Sequence, residues 1–234
     1  MSLPATTDKQ HFVERMFDGI APRYDMMNRL MTFGLDRAWR RAAVASLTVG
    51  EGDVVVDLGC GTGDLCADTS ATGARVIGVD LSAGMLVRAV SRLPDCTFLR
   101  GDAAALPLAD GACAAAVSGF ALRNFASIPG VLTEVARVIR PGGRLAVLEV
   151  DVPRSAPLRV AFDLYFGRVV PALGRLVSKG YAYEYLAGSL VYLPTDEDFA
   201  AMLEAAGFEA VMKRNFAAGA AQLVTARRRD GAGA

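Results

Sequence analysis

The sequence predicts a doubly wound α/β fold, in which helices cover both faces of a mostly parallel seven-stranded sheet with an antiparallel C-terminal edge. Short apolar runs alternate with helical patterns along most of the chain, as strand–helix–strand units require. Two short strand-like runs follow each other directly at the end of the chain, so they can pair as antiparallel strands. The chain has 234 residues and is 53% hydrophobic, which suits one domain spanning residues 1–234.

Five apolar runs and two further strand-like runs are the expected strands. The first five need no alternation of polarity, because strands of a parallel sheet are covered on both faces. The helices expected between them include residues 83–93 and 128–139, and Pro141-Gly142-Gly143 ends the second of these. The seven runs are residues 54–56, 75–80, 97–99, 114–117, 145–149, 209–215 and 220–226.

Two helical segments lie outside this alternation. Residues 10–48 form an N-terminal lead-in, and residues 155–193 form an insertion after the fifth strand. Five of the six tyrosines lie in this insertion, among many apolar residues. An aromatic cap suits a flat ring with a hydrocarbon tail, although the same residues also serve as the insertion's own core.

Charge and cysteine content narrow the class of partner. Lys plus Arg (25) balance Asp plus Glu (25), so the chain has no net charge to attract nucleic acid or an anionic membrane over long range. The four cysteines show no metal or disulfide spacing, which indicates free thiols, a reducing cytoplasm and no bound metal. No run is long and apolar enough to be a membrane span.

The segment D-L-G-C-G-T-G-D, residues 57–64, joins the first strand to a helix. Gly59, Gly61 and Gly63 let a ligand approach backbone N–H groups at that helix N-terminus. Asp80 ends the second strand about twenty residues later, where a carboxylate accepts hydrogen bonds from the hydroxyls of an adenosine ribose. The pattern therefore predicts a nucleoside cofactor.

The spacing of the loop separates two cofactor classes. A dinucleotide site uses G-x-G-x-x-G to hold a pyrophosphate, whereas the third glycine here comes one residue early and two aspartates flank the loop. Asp57 and Asp64 disfavour a pyrophosphate and suit the ammonium group of S-adenosylmethionine. Asp102, after the third strand, is expected to accept a hydrogen bond from the adenine amine, with a turn-capping role as its alternative.

These motifs resemble those of class I S-adenosylmethionine-dependent methyltransferases: D-L-G-C-G-T-G-D, V-I-G-V-D-L-S, G-D-A-A-A-L-P and R-P-G-G-R-L. Y-D-M-M-N (24–28) and F-A-L-R-N (120–124) are similar, more narrowly, to the UbiE/COQ5/MenG family. The resemblance covers residues 12–226. It implies C-methylation of a polyprenylated quinol, most simply demethylmenaquinol, with S-adenosylhomocysteine as the second product. The cofactor-binding residues expected are Phe17, Tyr24, Asp57, Gly59, Gly61, Gly63, Asp80, Leu81, Met85, Asp102 and Ala103.

The chain departs from the family where acid–base residues are expected. Thr32 and Asp36 stand where the family commonly has Ser and His, and Asp151 stands in the place of a serine. Arg123, Asp36 and Asp25 are the catalytic candidates: the arginine to stabilise a phenolate, and either carboxylate to act as a base. An ion pair that holds the loop is the alternative for Arg123, and a helix cap is the alternative for Asp36.

Asn124, Tyr165, Tyr181 and Tyr185 are the expected substrate-binding residues. The expected partner is a lipophilic quinol and no nucleic acid. We expect a cytoplasmic protein, for which peripheral contact with the inner face of the membrane and a homodimer are open alternatives. Three other functions remain open at this stage: methylation of another aromatic or isoprenoid acceptor, an NAD-dependent oxidoreductase, and a non-catalytic cofactor-binding subunit.

Overall fold

The computed structural model describes residues 6–177 and 180–230, with the backbone alone for residues 6, 7, 175–177, 180, 181 and 183. Its centre is one seven-stranded sheet in the order β3-β2-β1-β4-β5-β7-β6. The strands from β1 to β5 run parallel, and β7 pairs antiparallel with both β5 and β6. The strands are β1 (Val54–Leu58), β2 (Arg75–Asp80), β3 (Thr97–Arg100), β4 (Cys113–Gly119), β5 (Ile139–Val150), β6 (Phe208–Phe216) and β7 (Ala221–Arg228). The predicted fold class is confirmed.

Neighbouring residues of β1 pack against opposite faces of the sheet. Val56 belongs to a core with two helices, α6 (Ile128–Val138) and α10 (Asp196–Ala205), whereas Val55 belongs to a core with α3 (Asp36–Leu47). Both valines are fully buried, which explains why this strand is apolar at consecutive positions. The helices are α1 (Thr6–Ile20), α2 (Tyr24–Met31), α3 (Asp36–Leu47), α4 (Asp64–Ser70), α5 (Ala83–Arg92), α6 (Ile128–Val138), α7 (Ala156–Leu164), α8 (Val170–Val177), α9 (Gly180–Gly188) and α10 (Asp196–Ala205).

Side-chain caps start three of these helices. Ser82, Ser127 and Thr195 each accept a hydrogen bond at 3.1 Å from the backbone N–H three residues ahead. The Pro-Gly-Gly segment behaves differently from the prediction, because it lies within β5 instead of between a helix and a strand. Gly143 is required there, since a Cβ would lie 2.5 Å from the Ala114 carbonyl oxygen of β4.

The N-terminal lead-in and the insertion pack on each other. Met16, Ile20 and Met27 of the lead-in share a buried cluster with Val170 and Tyr185 of the insertion. A π-helical turn, Tyr165–Val169, joins α7 to α8. Because these segments lie more than a hundred residues apart in the chain, the cap over the sheet exists only in the folded protein. Within the described residues, no helix is long and apolar enough to cross a bilayer.

The parallel strands end at one edge of the sheet, below this cap. β1 lies between β2 and β4, so the direction of winding reverses at this strand. The crevice outside the carboxyl ends at such a reversal is where open α/β sheets bind ligands. The loops after β1, β2, β3 and β4 all meet there.

Candidate active site

Two adjoining cavities open at this edge. The first, which we call the acidic cavity, has a volume of about 70 Å³ and includes Glu14, Asp80 and Asp102 in its wall. The second, the aromatic cavity, measures about 260 Å³ and includes Trp39, Phe162, Tyr165 and Phe166. The residues that line both cavities, and so form their border, are Tyr24, Gly59, Gly61, Gly119 and Phe120.

The three glycines of the loop after β1 have different roles. All have positive φ, and Gly59 and Gly61 line both cavities. A Cβ on Gly59 would lie 2.6 Å from the Ala121 Cβ, so the loop closely approaches the one after β4. Gly63 lines neither cavity, and a Cβ there would lie 2.9 Å from the Leu93 Cδ1. Gly63 therefore packs against the end of α5, and its expected cofactor contact stays a prediction.

Asp80 is held by the backbone. Its Oδ2 accepts from Gly61 N at 2.8 Å and its Oδ1 from Ser82 N at 2.8 Å. Burial raises the pKa of its carboxyl, and these N–H donors oppose the rise by favouring the ionised form. The remaining lone pairs of Asp80 in the wall of the acidic cavity can accept from a ribose.

Asp57 has a buried oxygen without a partner. Its Oδ2 accepts from the Cys66 thiol at 3.1 Å, whereas its Oδ1 makes no hydrogen bond. Burial raises the pKa of this carboxyl to about 7, and the thiol hydrogen bond lowers it in part. Asp57 lines the aromatic cavity beside Gly59 and Gly61. An unsatisfied carboxylate oxygen in this position suits a cationic group of a ligand.

Asp102 lies at the far end of the acidic cavity, where Leu81, Met85 and Ala103 also contribute to the wall. Its Oδ1 accepts from Ala104 N at 2.9 Å, as the turn-capping alternative predicts, and its Oδ2 accepts from Gln10 Nε2 at 3.1 Å. Both the turn role and the adenine role fit this geometry, since each oxygen has a second lone pair.

Helix α1 closes the acidic cavity from above. Phe17 lines it, and the ring of Phe17 meets the ring of Tyr24 edge to face at 5.8 Å. Burial raises the pKa of Tyr24, so its hydroxyl stays protonated at neutral pH. The aromatic pair therefore presents uncharged π surface at the border between the cavities.

Asp25 and Asp64 share Arg92 as a partner beside the loop after β1. The Thr62 hydroxyl donates to Asp25 at 2.6 Å, and Arg92 contacts both Asp25 at 3.3 Å and Asp64 at 2.8 Å. Asp25 lines neither cavity. The expectation that Asp25 acts as a base has no support in this geometry. Asp64 does line the aromatic cavity, but Arg92 and Arg40 neutralise it.

Asp36 is buried in the wall of the aromatic cavity. It accepts from the Thr32 hydroxyl at 2.7 Å and forms an ion pair with Arg40. The helix-cap alternative does not apply, because no side chain caps the N-terminus of α3. Arg40 also contacts Asp68 at 2.9 Å and Asp64 at 3.3 Å. Its guanidinium is therefore shared by three carboxylates.

Arg123 makes the ion pair that the sequence allows, and its catalytic role stays a prediction. It is buried, pairs with Glu149, and donates to the Ser189 hydroxyl at 3.2 Å and to the Phe120 carbonyl at 3.2 Å. It also lines the aromatic cavity. The ion pair fixes the guanidinium on the loop after β4, and the cavity-facing part can still stabilise an oxyanion.

Phe120 has a backbone conformation that disfavours a bulky side chain. Its φ is +58°, and its N–H donates to the Leu148 carbonyl at 2.7 Å. Its carbonyl accepts from the side chains of Arg123 and Asn124. Such strain concentrates at functional sites, and Phe120 lines both cavities.

The structure places the expected substrate-binding residues in different surroundings. Tyr165 lines the aromatic cavity and its hydroxyl donates to the Met31 carbonyl at 2.9 Å. Asn124 lines the acidic cavity instead. Tyr185 lines neither cavity: it is 2% exposed and its hydroxyl donates to Asn124 at 3.3 Å. Burial raises the pKa of Tyr185 to about 12, so its hydroxyl stays protonated and donates to Asn124; its expected contact with the substrate stays a prediction. The Tyr181 side chain lies outside the described residues.

Sequence reasoning missed Gln10 and Arg40. Gln10 reaches Asp102 across 92 residues of chain, and Arg40 joins three carboxylates from two helices. Nothing in their local sequence signals these contacts. The sequence indicates Phe120 only as part of the F-A-L-R-N motif, because residue types do not reveal backbone strain.

The acidic cavity distinguishes between the two expected cofactor classes. Among the described residues, its wall includes Glu14, Asp80 and Asp102 but neither lysine nor arginine. A pyrophosphate would meet three carboxylates and no cationic side chain there, whereas an uncharged adenosine with a cationic end fits. The residues thus suit S-adenosylmethionine, and the expected contacts of Asp80 and Asp102 with adenosine and of Asp57 with the methionine amine stay predictions.

Comparison with known sequences agrees with this geometry. The profile of the ubiE/COQ5 methyltransferase family matches residues 5–228. The ubiquinone/menaquinone biosynthesis C-methyltransferase UbiE of Syntrophotalea carbinolica is 41% identical over 210 residues, which are 87% of this chain and 89% of that protein. The demethylmenaquinone methyltransferase of Thermus thermophilus is 44% identical over 200 residues, covering 82% and 91% of the two chains.

Solved structures share the fold at much lower identity. A Thermotoga maritima S-adenosylmethionine-dependent methyltransferase, described as a possible histamine N-methyltransferase, has a TM-score of 0.67 at 19% identity over 93% of this chain and 100% of its own. The [4+2]-cyclase SpnF has a TM-score of 0.69 at 18% identity, covering 94% and 96% of the chains. Proteins of different chemistry thus share this architecture, so the reaction has to be argued from the site.

Proposed function

The chain belongs to the ubiE/COQ5 methyltransferase family, and on this premise we propose that it methylates a ring carbon of a polyprenylated quinol, most simply demethylmenaquinol. The observation that carries the proposal is the border between an acidic cavity suited to S-adenosylmethionine and a larger aromatic cavity. The relatives' names supply the acceptor class. Because an isoprenoid tail partitions into lipid, peripheral membrane contact is part of the proposal, and a homodimer stays a prediction.

S-adenosylmethionine supplies, when bound, a methyl group that its sulfonium already activates. The task of the protein is therefore to place the acceptor, exclude water and manage one proton. Phe162, Tyr165 and Phe166 offer stacking surface for a flat ring. Tyr24 and Phe120 lie at the border, where the acceptor carbon has to meet the methyl group.

The proton of the quinol hydroxyl has to leave, since a ring carbon becomes nucleophilic when its neighbouring oxygen is a phenolate. A phenol with a pKa of about 10 needs a base or a cation for this step. We assign the base to the Asp36 carboxylate, which is buried in the cavity wall, and oxyanion stabilisation to the Arg123 guanidinium. Asp25 is left out, because Thr62 and Arg92 engage it outside the cavity.

The test is methyl transfer from labelled S-adenosylmethionine to demethylmenaquinol, with other quinols, phenols and isoprenoids as a panel. We expect turnover with the reduced quinol and little with the oxidised quinone, because only the quinol supplies a phenolate. Equal rates with both forms would refute the nucleophile. If only another member of the panel is methylated, that compound and not demethylmenaquinol is the acceptor.

A matched pair of variants tests the base. Asp36→Asn should lower kcat by about 10² or more, the usual contribution of acid–base catalysis, with little change in cofactor affinity. Asp68→Asn is the control, because Asp68 also bonds Arg40 but lies outside the cavity wall. If both variants lose activity equally, the Arg40 network matters for structure and Asp36 is not the base.

A further inference from the structure

The mouth of the aromatic cavity carries exposed apolar side chains. Phe33 and Leu35, in the turn between α2 and α3, line the cavity and are 76% and 48% exposed. Leu30 of α2 is also exposed, as is Leu164 beside Tyr165. The Phe33 and Tyr165 rings lie 5.9 Å apart, so the two segments meet at the mouth. We call Leu30, Phe33, Leu35 and Leu164 the apolar rim.

The turn that presents Phe33 is strained. Phe33 has a φ of +53°, which a bulky residue rarely adopts, and the following Gly34 has a φ of +75°. Hydrogen bonds hold the turn closed, from Gly34 N to the Arg29 carbonyl at 2.9 Å and from Leu35 N to the Thr32 carbonyl at 3.0 Å. Folding alone would favour a glycine or a small polar residue where Phe33 is both strained and exposed. This combination indicates that the ring serves an interaction.

Basic side chains accompany the rim. Arg29, Arg37 and Arg41 are exposed, and none makes an ion pair within the described part of the chain. Since the whole chain has equal numbers of acidic and basic residues, this group is a local excess of positive charge. Apolar residues flanked by arginines match the interface of an anionic bilayer, with acyl chains inside and phosphates outside.

The size of the cavity supplies a reason for such contact, and this step rests on the proposed function. A volume of about 260 Å³ suits a bicyclic ring but not a tail of several isoprene units. The tail must therefore leave through the mouth, past Phe33 and Leu35. In water this would expose its full apolar surface, whereas at a bilayer it stays in lipid.

We propose that the apolar rim docks on an anionic phospholipid bilayer, with Phe33 and Leu35 among the acyl chains and Arg29, Arg37 and Arg41 at the headgroups. The quinol ring then enters the aromatic cavity while its tail remains in the membrane. The attachment is peripheral and reversible, because only a few side chains insert.

Co-sedimentation with phosphatidylcholine vesicles, with and without phosphatidylglycerol, tests the docking. The protein should bind the anionic vesicles more tightly, and Phe33→Ser should weaken binding on the order of tenfold. Neutralising Arg29 or Arg37 with glutamine should weaken it about fivefold each, and only for anionic vesicles. Met212→Ser is the control, because Met212 is 68% exposed on β6 and is not part of the rim.

The outcomes separate docking from catalysis. The double variant Arg29→Gln/Leu30→Ser alters neither cavity wall, so it should lose turnover of a long-tailed quinol in vesicles but keep turnover of a short-tailed soluble quinol. Vesicle binding with no quinol methylated would refute the proposed function alone. Absence of vesicle binding, equal binding by Phe33→Ser, or a dimer in solution that Phe33→Ser dissociates would overturn the docking.

Discussion

Asp57 shows how one buried atom links the fold to ligand binding. The strand β1 places its carboxylate among valines and glycines, where one oxygen has a thiol partner and the other has none. Ionisation there is costly, which is why the pKa of Asp57 is raised to about 7. For a carboxyl with a raised pKa, the stabilising contribution is complete below pH 4 and is lost as the pH rises through 7.

We predict that cofactor affinity rises with pH through this window, because an ammonium group binds the ionised form of Asp57. Calorimetric titration with S-adenosylhomocysteine should give about tenfold weaker binding at pH 6 than at pH 8. Asp57→Asn should abolish this pH dependence and retain the Cys66 hydrogen bond. An unchanged slope in Asp57→Asn would assign the titration to another group.

We also predict that the strain at Phe120 can be measured. Phe120→Gly and Phe120→Ala both delete the ring, but only glycine accepts a φ of +58° without cost. Phe120→Gly should therefore unfold at a higher denaturant concentration than Phe120→Ala, with a free energy of unfolding that is about 1 kcal/mol greater. Phe125 gives the control, because its φ is −62° and the order of the Gly and Ala variants should reverse there. Equal stability of the two Phe120 variants would mean that the backbone is relaxed.

At the scale of elements, α1 is the part of the cap that lies over the acidic cavity. Gln10, Glu14 and Asp18 recur every four residues: Gln10 bonds Asp102 after β3, Glu14 bonds Arg100 at the end of β3, and Asp18 bonds Ser82 after β2. Asp18 makes two of these contacts, accepting from the Ser82 hydroxyl at 2.6 Å and from Gly84 N at 2.8 Å. Gln10, Glu14 and Phe17 of this helix line the acidic cavity beneath, so α1 forms one side of the expected cofactor site.

We predict that Asp18→Ala loosens α1 without unfolding the sheet. Amide hydrogen exchange in α1 should become faster, because the two lost hydrogen bonds hold α1 against Ser82 and Gly84. S-adenosylhomocysteine should bind on the order of tenfold more weakly. Asp8→Ala is the matched control, since Asp8 is exposed on the same helix and makes no hydrogen bond in the described structure. Equal exchange in both variants would show that apolar packing alone holds α1.

At the scale of the molecule, the hydrophobic clusters of the sheet and the cluster of the cap meet at the cavities. One cluster unites the lead-in with the insertion, and two others cover the faces of the sheet. A ligand at their border contacts all of these layers, so its binding free energy adds to the stability of the whole chain.

We predict a rise of about 5–10 °C in the unfolding temperature when S-adenosylhomocysteine is present at a hundred times its Kd. NAD should give no rise, because carboxylates meet its pyrophosphate. Asp80→Ala should remove the effect while leaving the unliganded unfolding temperature within a few degrees. A shift with NAD would contradict the assignment of the cofactor.

The five parallel strands were predictable because each contains a short apolar run bounded by turn residues, and both signals are local. Asp57, Asp80 and Asp102 stand out for a related reason, because they lie at or just after the carboxyl ends of β1, β2 and β3. The structure separates residues that look equivalent in sequence. Gly63 faces Leu93 while Gly61 faces the cavities, and Arg92 engages Asp25 while Asp36 stays in the cavity wall.

By itself, the sequence determined the sheet, the glycine loop and the class of cofactor, since these depend on neighbours within about twenty residues. The tertiary structure alone decided which acids face a ligand, where α1 closes and why Phe33 is exposed at the mouth of the aromatic cavity. These outcomes depend on contacts such as Gln10 with Asp102 and Phe33 with Tyr165, which join residues more than ninety positions apart. Local patterns cannot encode such contacts, because packing of the whole chain selects them.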